Sequence, residues 1–318
     1  MSLLASVSNN LKFWDFNNNN LLLNSTAEFG GSSDKAAAYS SHLLALAWNH
    51  NHKVIAVGGN SQQLHLVQAN SGQILSSLPI DEKDSFVGDI RALSFSHNSR
   101  YLASAIEQDV AVWDLKTRNI RVRLRGHKTN LTSLQFTNEG AVVSGDTSGA
   151  LVLWNIDQNT QSKQLLNPGY RSPLHCLKLS PGNNSHVCCG YGDGSVTVWD
   201  TQSLSPRYRC PSAHNTAVTA LACSPKNDRL IATGSKDGSL QLVDLGSKHD
   251  QFSAVVGMQV GDEISSISFH ESALYTAVGT ETGYIYIYDW RNSQKPVIQV
   301  AGHNPMRVYD LAFQVCAC

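Results

Sequence analysis

Charge is scarce in this chain. Only 15% of its 318 residues are charged, against ~25% in an ordinary soluble domain. The 24 Lys and Arg also cancel the 25 Asp and Glu, leaving a formal charge of −1. No global field therefore favours nucleic acid or an anionic membrane, and neither is expected as a partner. Long apolar runs are missing as well: no window approaches the ~18 residues that a spanning helix needs. The opening MSLLASVSNNLKFWDF has no basic leader and only short apolar stretches, so no secretory signal is read there. The seven cysteines are an odd number, which makes a disulfide framework unexpected, and all are read as reduced thiols of a cytosolic or nuclear protein. On a strand, the adjacent Cys188 and Cys189 would face opposite ways. The sequons at Asn24, Asn130 and Asn183 are accordingly read as unglycosylated.

Signatures of catalysis are equally thin. The run Gly190-Tyr191-Gly192-Asp193-Gly194 lacks the Lys-Ser/Thr ending of a phosphate loop and lies between apolar runs rather than before a helix, so it reads as a hairpin turn. His186, Cys188 and Cys189 do not have the paired spacing of a zinc site, and Cys316 with Cys318 has no matching second pair. No Gly-x-Ser-x-Gly elbow occurs. The expectation is a protein without catalytic residues, cofactor or metal.

What the chain does have is a Trp-Asp-like pair that returns at a nearly constant interval. It stands as Trp14-Asp15, Trp113-Asp114, Trp154-Asn155 and Trp199-Asp200, with echoes at Val67-Gln68, Val243-Asp244 and Tyr288-Asp289. Successive first members are 53, 46, 41, 45, 44 and 45 residues apart. An apolar strand ending in Trp-Asp at this period is the sequence mark of a WD40 β-propeller. Seven alternating runs read as innermost strands: LLALAW, IRALSF, LTSLQF, LHCLKL, VTALAC, ISSISF and VYDLAF, the last over residues 308–313. Each is followed by a second apolar run and a tight turn such as Asp193-Gly194 or Asp237-Gly238, which supplies the positive φ that a short hairpin needs.

The two ends are out of phase. The chain begins on a second strand near residues 3–7 and finishes on an innermost strand. An open solenoid would share the repeat, but a closing blade built from both termini accounts for the offset and covers the edges that a ragged array leaves. The fold class expected is all-β: a seven-bladed propeller in one domain over residues 1–318, with an inserted loop at about 24–41. The Asn run at 17–20 fits a turn.

In such repeats a His before the blade, a Ser or Thr on the second strand, a turn Asp and the Trp form one hydrogen-bonded group, so every buried polar atom is satisfied. Here the pattern is degraded. His127 leads into the blade of Trp154, but Ser148 occupies the expected Asp position. His214 precedes Asp237, yet Val243 replaces the Trp. Asp193 and Trp199 share a blade with no His before it. His303 leads into the closing blade, where Trp14 is matched with Ser8. No blade is expected to be complete, and these residues, with Trp113, are read as structural.

Two surface features are candidates for partner binding. In KTRNIRVRLRGHK, residues 116–128, Arg121, Arg123 and Arg125 alternate with apolar residues and Lys128 extends the run, with no acid among them. This reads either as edge protection of an outer strand or as a dock for an acidic partner, since Arg grips carboxylates bidentately. An acidic run (Asp81, Glu82, Asp84, Asp89) is a possible neutraliser from the neighbouring blade. The second candidate is Tyr288-Asp289-Trp290-Arg291, which resembles the motif by which some propellers dock onto cullin-type ubiquitin ligases, with Arg291 as its key position. Tyr284, Tyr286 and Tyr288 share one strand face and are read as packing.

The stretches VAVWDLKTRNIRVRLRGHKTNLTSL, SGALVLWNI and YIYIYDWRNSQKPVIQVAGHN, the last running into VYDLAFQ, resemble the WD-repeat domain of the NEDD-type proteins that target the gamma-tubulin ring complex. The resemblance implies a non-enzymatic protein-interaction scaffold in the cytoplasm and cytoskeleton, an adaptor for microtubule nucleation at centrosome, basal body or spindle, with gamma-tubulin complex components among its partners. In that family a helical region after the propeller makes the gamma-tubulin contact. It lies outside these residues, so no such contact is carried over to a position here. The alternatives are a substrate receptor of a cullin-type ubiquitin ligase or another WD40 scaffold.

Overall fold

The computed structural model describes residues 3–16, 20–25, 42–60, 63–79, 88–156, 163–165, 171–181, 185–245, 253–292 and 295–314. Among them, twenty-eight strands form seven four-stranded antiparallel sheets. The first six blades follow the chain, over residues 43–79, 90–124, 131–165, 174–210, 218–259 and 264–300. The seventh is shared: Asp310–Phe313 pairs with Leu3–Val7, which continues into Leu11–Asp15 and Asn20–Ser25. The expected seven-bladed propeller is the structure found. Its last innermost strand is shorter than the sequence pattern, starting at Asp310 rather than 308.

The ring follows from the period-two pattern of the strands. Each of seven apolar cores lies between two neighbouring blades. A second strand faces a core on both sides, so it has no polar face. On Tyr101–Ile106, Leu102 and Ile106 pack toward the first blade while Ala103 and Ala105 pack toward the third. Cys188 and Cys189 likewise split between the cores on either side of the fourth blade. Each fully buried Leu, Ile or Val contributes roughly 1.5–3 kcal/mol.

Close approach of the blades also fixes small residues. Five second strands carry Gly at one register: Gly58, Gly145, Gly190, Gly234 and Gly279. A Cβ on Gly145 would lie 2.6 Å from Leu174, the first residue of the next innermost strand, and one on Gly58 would lie 2.8 Å from Ile90. The hairpin glycines Gly194 and Gly238 have φ of 82° and 78°, as their turns require.

Hydrogen bonds stitch the blades around the axis. Thr132 Oγ1 donates to the Leu174 carbonyl at 2.7 Å, Ser265 Oγ to the Val308 carbonyl at 2.6 Å, and Thr219 does the same to Ile264. At the closing seam, the Leu43 N–H donates to the Ser8 carbonyl at 2.7 Å, Trp48 Nε1 to the Ala312 carbonyl at 3.1 Å, and Gln314 Nε2 to the His52 carbonyl at 2.7 Å. The anticipated loop at 24–41 lies outside the described residues except for the end of the strand Asn20–Ser25.

Candidate functional site

The third blade corrects the expectation that no hydrogen-bonded group would be complete. Trp154 Nε1 donates to Ser144 Oγ at 2.7 Å, Ser144 meets His127 Nε2 at 2.7 Å, and His127 Nδ1 meets Asp146 Oδ2 at 2.6 Å. The carboxylate comes from the end of the second strand, two residues before Ser148. Ser148 instead donates to Asp146 through both its N–H, at 2.9 Å, and its hydroxyl, at 2.6 Å. Burial pushes the Asp146 carboxyl up, but hydrogen bonds from His127, Ser148 and the Ala150 N–H together hold it below the usual carboxylate range. The His127 and Asp146 side chains are 0% and 1% exposed. They have no contact with solvent through which to meet a substrate.

The other blades carry shortened versions. In the fifth, His214 Nε2 meets Thr233 at 2.9 Å and Nδ1 meets Ser239 at 2.6 Å. Asp237 accepts from the Ser239 N–H at 2.9 Å, so Ser239 stands between the acid and the imidazole. In the closing blade the hydroxyl between His303 and Trp14 belongs to Ser6, at 2.8 Å from each, and not to Ser8. Burial lowers His214 to about 4 against the pull of Asp237, and lowers His303 to about 3 with Lys12 adding to the effect. In the fourth blade Tyr191 takes the register of Asp146, and Trp199 Nε1 donates to its hydroxyl at 3.3 Å. Asp193 caps the hairpin there through Ser195. Trp113 reaches Ser104 at 3.0 Å. Comparing the last residues of the second strands, rather than the turns, would have found the partners in the third blade, Asp146, and in the fourth, Tyr191.

The basic run falls on the outer strand Asn119–Leu124 of the second blade, where a bulge opposite Val112 and Trp113 interrupts the alternation. Arg121 lies over the Tyr101 ring at 4.7 Å, and Arg100 approaches the same ring at 5.1 Å. Arg125 lies past the strand and pairs with Asp109 at 3.3 Å, so an acid of its own blade partly answers it. Lys128 is exposed in the next loop. Asp89 pairs with Arg91 at 3.1 Å, while Asp81, Glu82 and Asp84 lie outside the described residues.

Arg291 is gripped by its own turn: its guanidinium donates to Asp289 at 2.9 Å and 2.6 Å and to the Tyr275 hydroxyl at 3.1 Å. Its side chain is nevertheless 59% exposed, so the guanidinium is presented on the surface over a largely buried Asp289. Tyr284, Tyr286 and Tyr288 stack along one strand face with ring centroids 6.1 and 6.3 Å apart, and Tyr288 is buried in the core between the fifth and sixth blades.

An axial channel of about 350 Å³ runs between the innermost strands. Its charges are largely engaged: Arg91 with Asp89, and Arg307 with Glu281 at 3.1 Å. Asp310 accepts from the Leu46 N–H at 3.1 Å and the Leu311 N–H at 2.9 Å, and burial pushes its carboxyl up. Among the described residues no cluster of three or more His, Cys, Asp or Glu side chains is arranged to hold a metal ion. No helix among them is long and apolar enough to cross a membrane. Cys176, Cys188, Cys189, Cys210 and Cys223 are free thiols, and Cys316 and Cys318 lie outside the described residues.

Three family models match parts of the chain. The WD domain, G-beta repeat, matches residues 118–155 and 161–200. The N-terminal domain of nucleolar protein 10-like proteins matches 206–317, and the WD40 domain of anaphase-promoting complex subunit 4 matches 4–87. Among curated proteins, protein NEDD1 of Homo sapiens is 26% identical over 315 residues, covering 98% of this chain and 44% of its own. Protein tipD of Dictyostelium discoideum is 24% identical over 283 residues, covering 88% and 44%. The E3 ubiquitin-protein ligase COP1 of Arabidopsis thaliana is 25% identical over 203 residues, covering 60% and 28%. The chain thus spans less than half the length of these relatives.

Proposed function

From the premise that this chain is a WD40-repeat protein built as a closed propeller, we propose that it is a non-enzymatic scaffold that brings the gamma-tubulin complex to centrosomes, basal bodies or spindles. The observation that carries this reading is the similarity to protein NEDD1, which runs over 98% of the chain and so includes every blade. The geometry is compatible with it. Histidines and acids that would serve catalysis elsewhere are spent on holding blades together, and the ring offers broad surfaces to other proteins. In this role the propeller supplies placement, and a separate helical region supplies the gamma-tubulin contact. The test is affinity purification of the full-length product with gamma-tubulin complex components, paired with imaging of the propeller. Absence of those components, together with a propeller that never reaches microtubule-organising centres, rejects the assignment.

A second reading is favoured by one observation, the exposed Arg291 guanidinium, held by Asp289, on a chain similar to an E3 ubiquitin-protein ligase. A ligase substrate receptor would dock its adaptor there. Arg291→Ala should then abolish adaptor binding with the fold intact, and unchanged binding dismisses this alternative.

A further inference from the structure

The outer strands of the seven blades are unequal in charge. In sequence they read NLLLNS, ILSSLP, NIRVRL, KQL, SPRYRC, SAVVGMQ and IQV. None contains an Asp or Glu, and their basic residues fall only on the second, third and fourth blades: Arg121, Arg123, Lys163, Arg207 and Arg209. These blades are neighbours around the ring. We propose that this basic arc on the circumference is a docking surface for an extended acidic segment of a partner protein. The proposal rests on the scaffold reading and names the chemistry of one of its surfaces.

Three features favour that occupant. Among the described residues, the outer strand of the second blade has no partner along its far edge within its sheet, so its backbone can accept an added strand there. Pro206 removes a donor from the matching strand of the fourth blade, which makes the second blade the site of pairing and the fourth an electrostatic extension. Arg121 and Arg207 are the extra residues at equivalent bulges of their strands, and Arg123 and Arg209 follow two residues on, so the second and fourth blades carry a pair of guanidinium groups at the same register. An extended chain that carries several acids can meet both pairs, since such a chain places a side chain toward the rim at every second residue.

Stacking also orients the donors. Arg121 and Arg100 share the Tyr101 ring, and Arg207 lies over Tyr208 at 5.9 Å. Ring contact limits the rotamers of these arginines and leaves their planar N–H edges for carboxylates. The same contacts argue against single-stranded nucleic acid, which needs open aromatic faces on which to stack bases. Arg121, Arg123 and Arg209 already make contacts within the chain, so docking exchanges carboxylates or other partners rather than filling a vacancy. Because the whole chain carries a formal charge of −1, the basic character is local to this arc.

The experiment is fluorescence anisotropy of the 318-residue chain with a labelled peptide alternating Glu and Thr. A Lys-Thr peptide and a labelled DNA duplex are the comparisons. The acidic peptide should bind and weaken with added salt, while the Lys-Thr peptide and the duplex should not compete. Arg121→Glu with Arg123→Glu should weaken it about tenfold or more. Arg207→Glu with Arg209→Glu, on the more exposed strand, should also weaken it with the thermal midpoint held. Arg→Lys at 121 and 123 should retain only part of the affinity, since Lys lacks the bidentate fork. No binding by the peptide, affinity unchanged in both charge-reversed proteins, or equal binding of the duplex overturns the proposal. Self-association of the charge-reversed chain with unchanged peptide affinity also overturns it, in favour of edge protection. None of these readouts involves gamma-tubulin, so failure here is distinguishable from failure of the proposed function.

Discussion

Acidification from pH 7 to pH 5 should strip a large part of this fold's stability, and two histidines identified by the structure carry a measurable share. His214 stands at about 4 and His303 at about 3 in the folded chain, against about 6.5 when unfolded. With folded values depressed, the unfolded chain takes up the protons first. The stability present near neutral pH is therefore lost as the pH falls below about 6.5 toward 4 and 3. At pH 5 each imidazole has cost about 2 kcal/mol, or about 4 kcal/mol for both. Domains of ordinary size are stable by about 5–15 kcal/mol, so the effect is large. His52, His175, His186 and His270 are also lowered, chiefly by burial, and add to the wild-type loss. The comparison is consequently between the natural chain and a His214→Gln/His303→Gln variant, each unfolded in urea at both pH values. The variant should start less stable but lose about 4 kcal/mol less on acidification. Equal losses in the two proteins would refute the argument, because the pair would then titrate alike folded and unfolded.

Ser144→Ala should cost about 2–4 kcal/mol, because it strands both the His127 ring nitrogen and the Trp154 N–H in a dry interior. Ser104→Ala, which releases only the Trp113 N–H, should cost about 1–2 kcal/mol. Urea midpoints for the two proteins check the order. Gly145→Ala should destabilise by about 1–3 kcal/mol through overpacking against Leu174. Gly257→Ala, with nothing within 4 Å of its added carbon, should be neutral or slightly stabilising. Thiol titration of the native chain should leave Cys188 and Cys189 unreacted. The first is held protonated by its hydrogen bond with Cys223 and by burial, the second by burial. All seven cysteines should react after unfolding, and early labelling of residues 188 and 189 would count against the packing described.

Period carried most of the architecture. Trp-Asp spacing and the seven alternating innermost runs identify the blades, and the phase of the two ends identifies the shared one. These signals survive because each blade must bury the same two faces against its neighbours. Side-chain partners were less legible because they depend on register. Asp146 and Ser148 differ by two positions in sequence, but only the first ends a second strand where an imidazole can reach it. Tyr191 replaced a His-Ser pair with one phenol, which no search for a recurring histidine detects. The repeated glycines were visible as letters, yet their reason is the next blade's Leu174 or Ile90, a contact that spacing does not reveal. On the rim, Arg121 and Arg123 stood out as a run, whereas Arg207 and Arg209 joined them only once the outer strands were compared around the circle.

The strand Asp310–Phe313 has a consequence for biosynthesis. A ribosome delivers the Leu3–Val7 segment about 300 residues before its pairing partner. At about 5–20 residues per second, tens of seconds separate the two events. Throughout that interval Leu4 and Ala5 on one lip of the gap, and Ala277 and Ile287 on the other, stay wet. The nascent ring is thus a latch left undone until residues 310–313 emerge, and chaperone holding matters most before that point. Gln314, which follows that strand, accordingly stands at the hub of the ring and not on its perimeter.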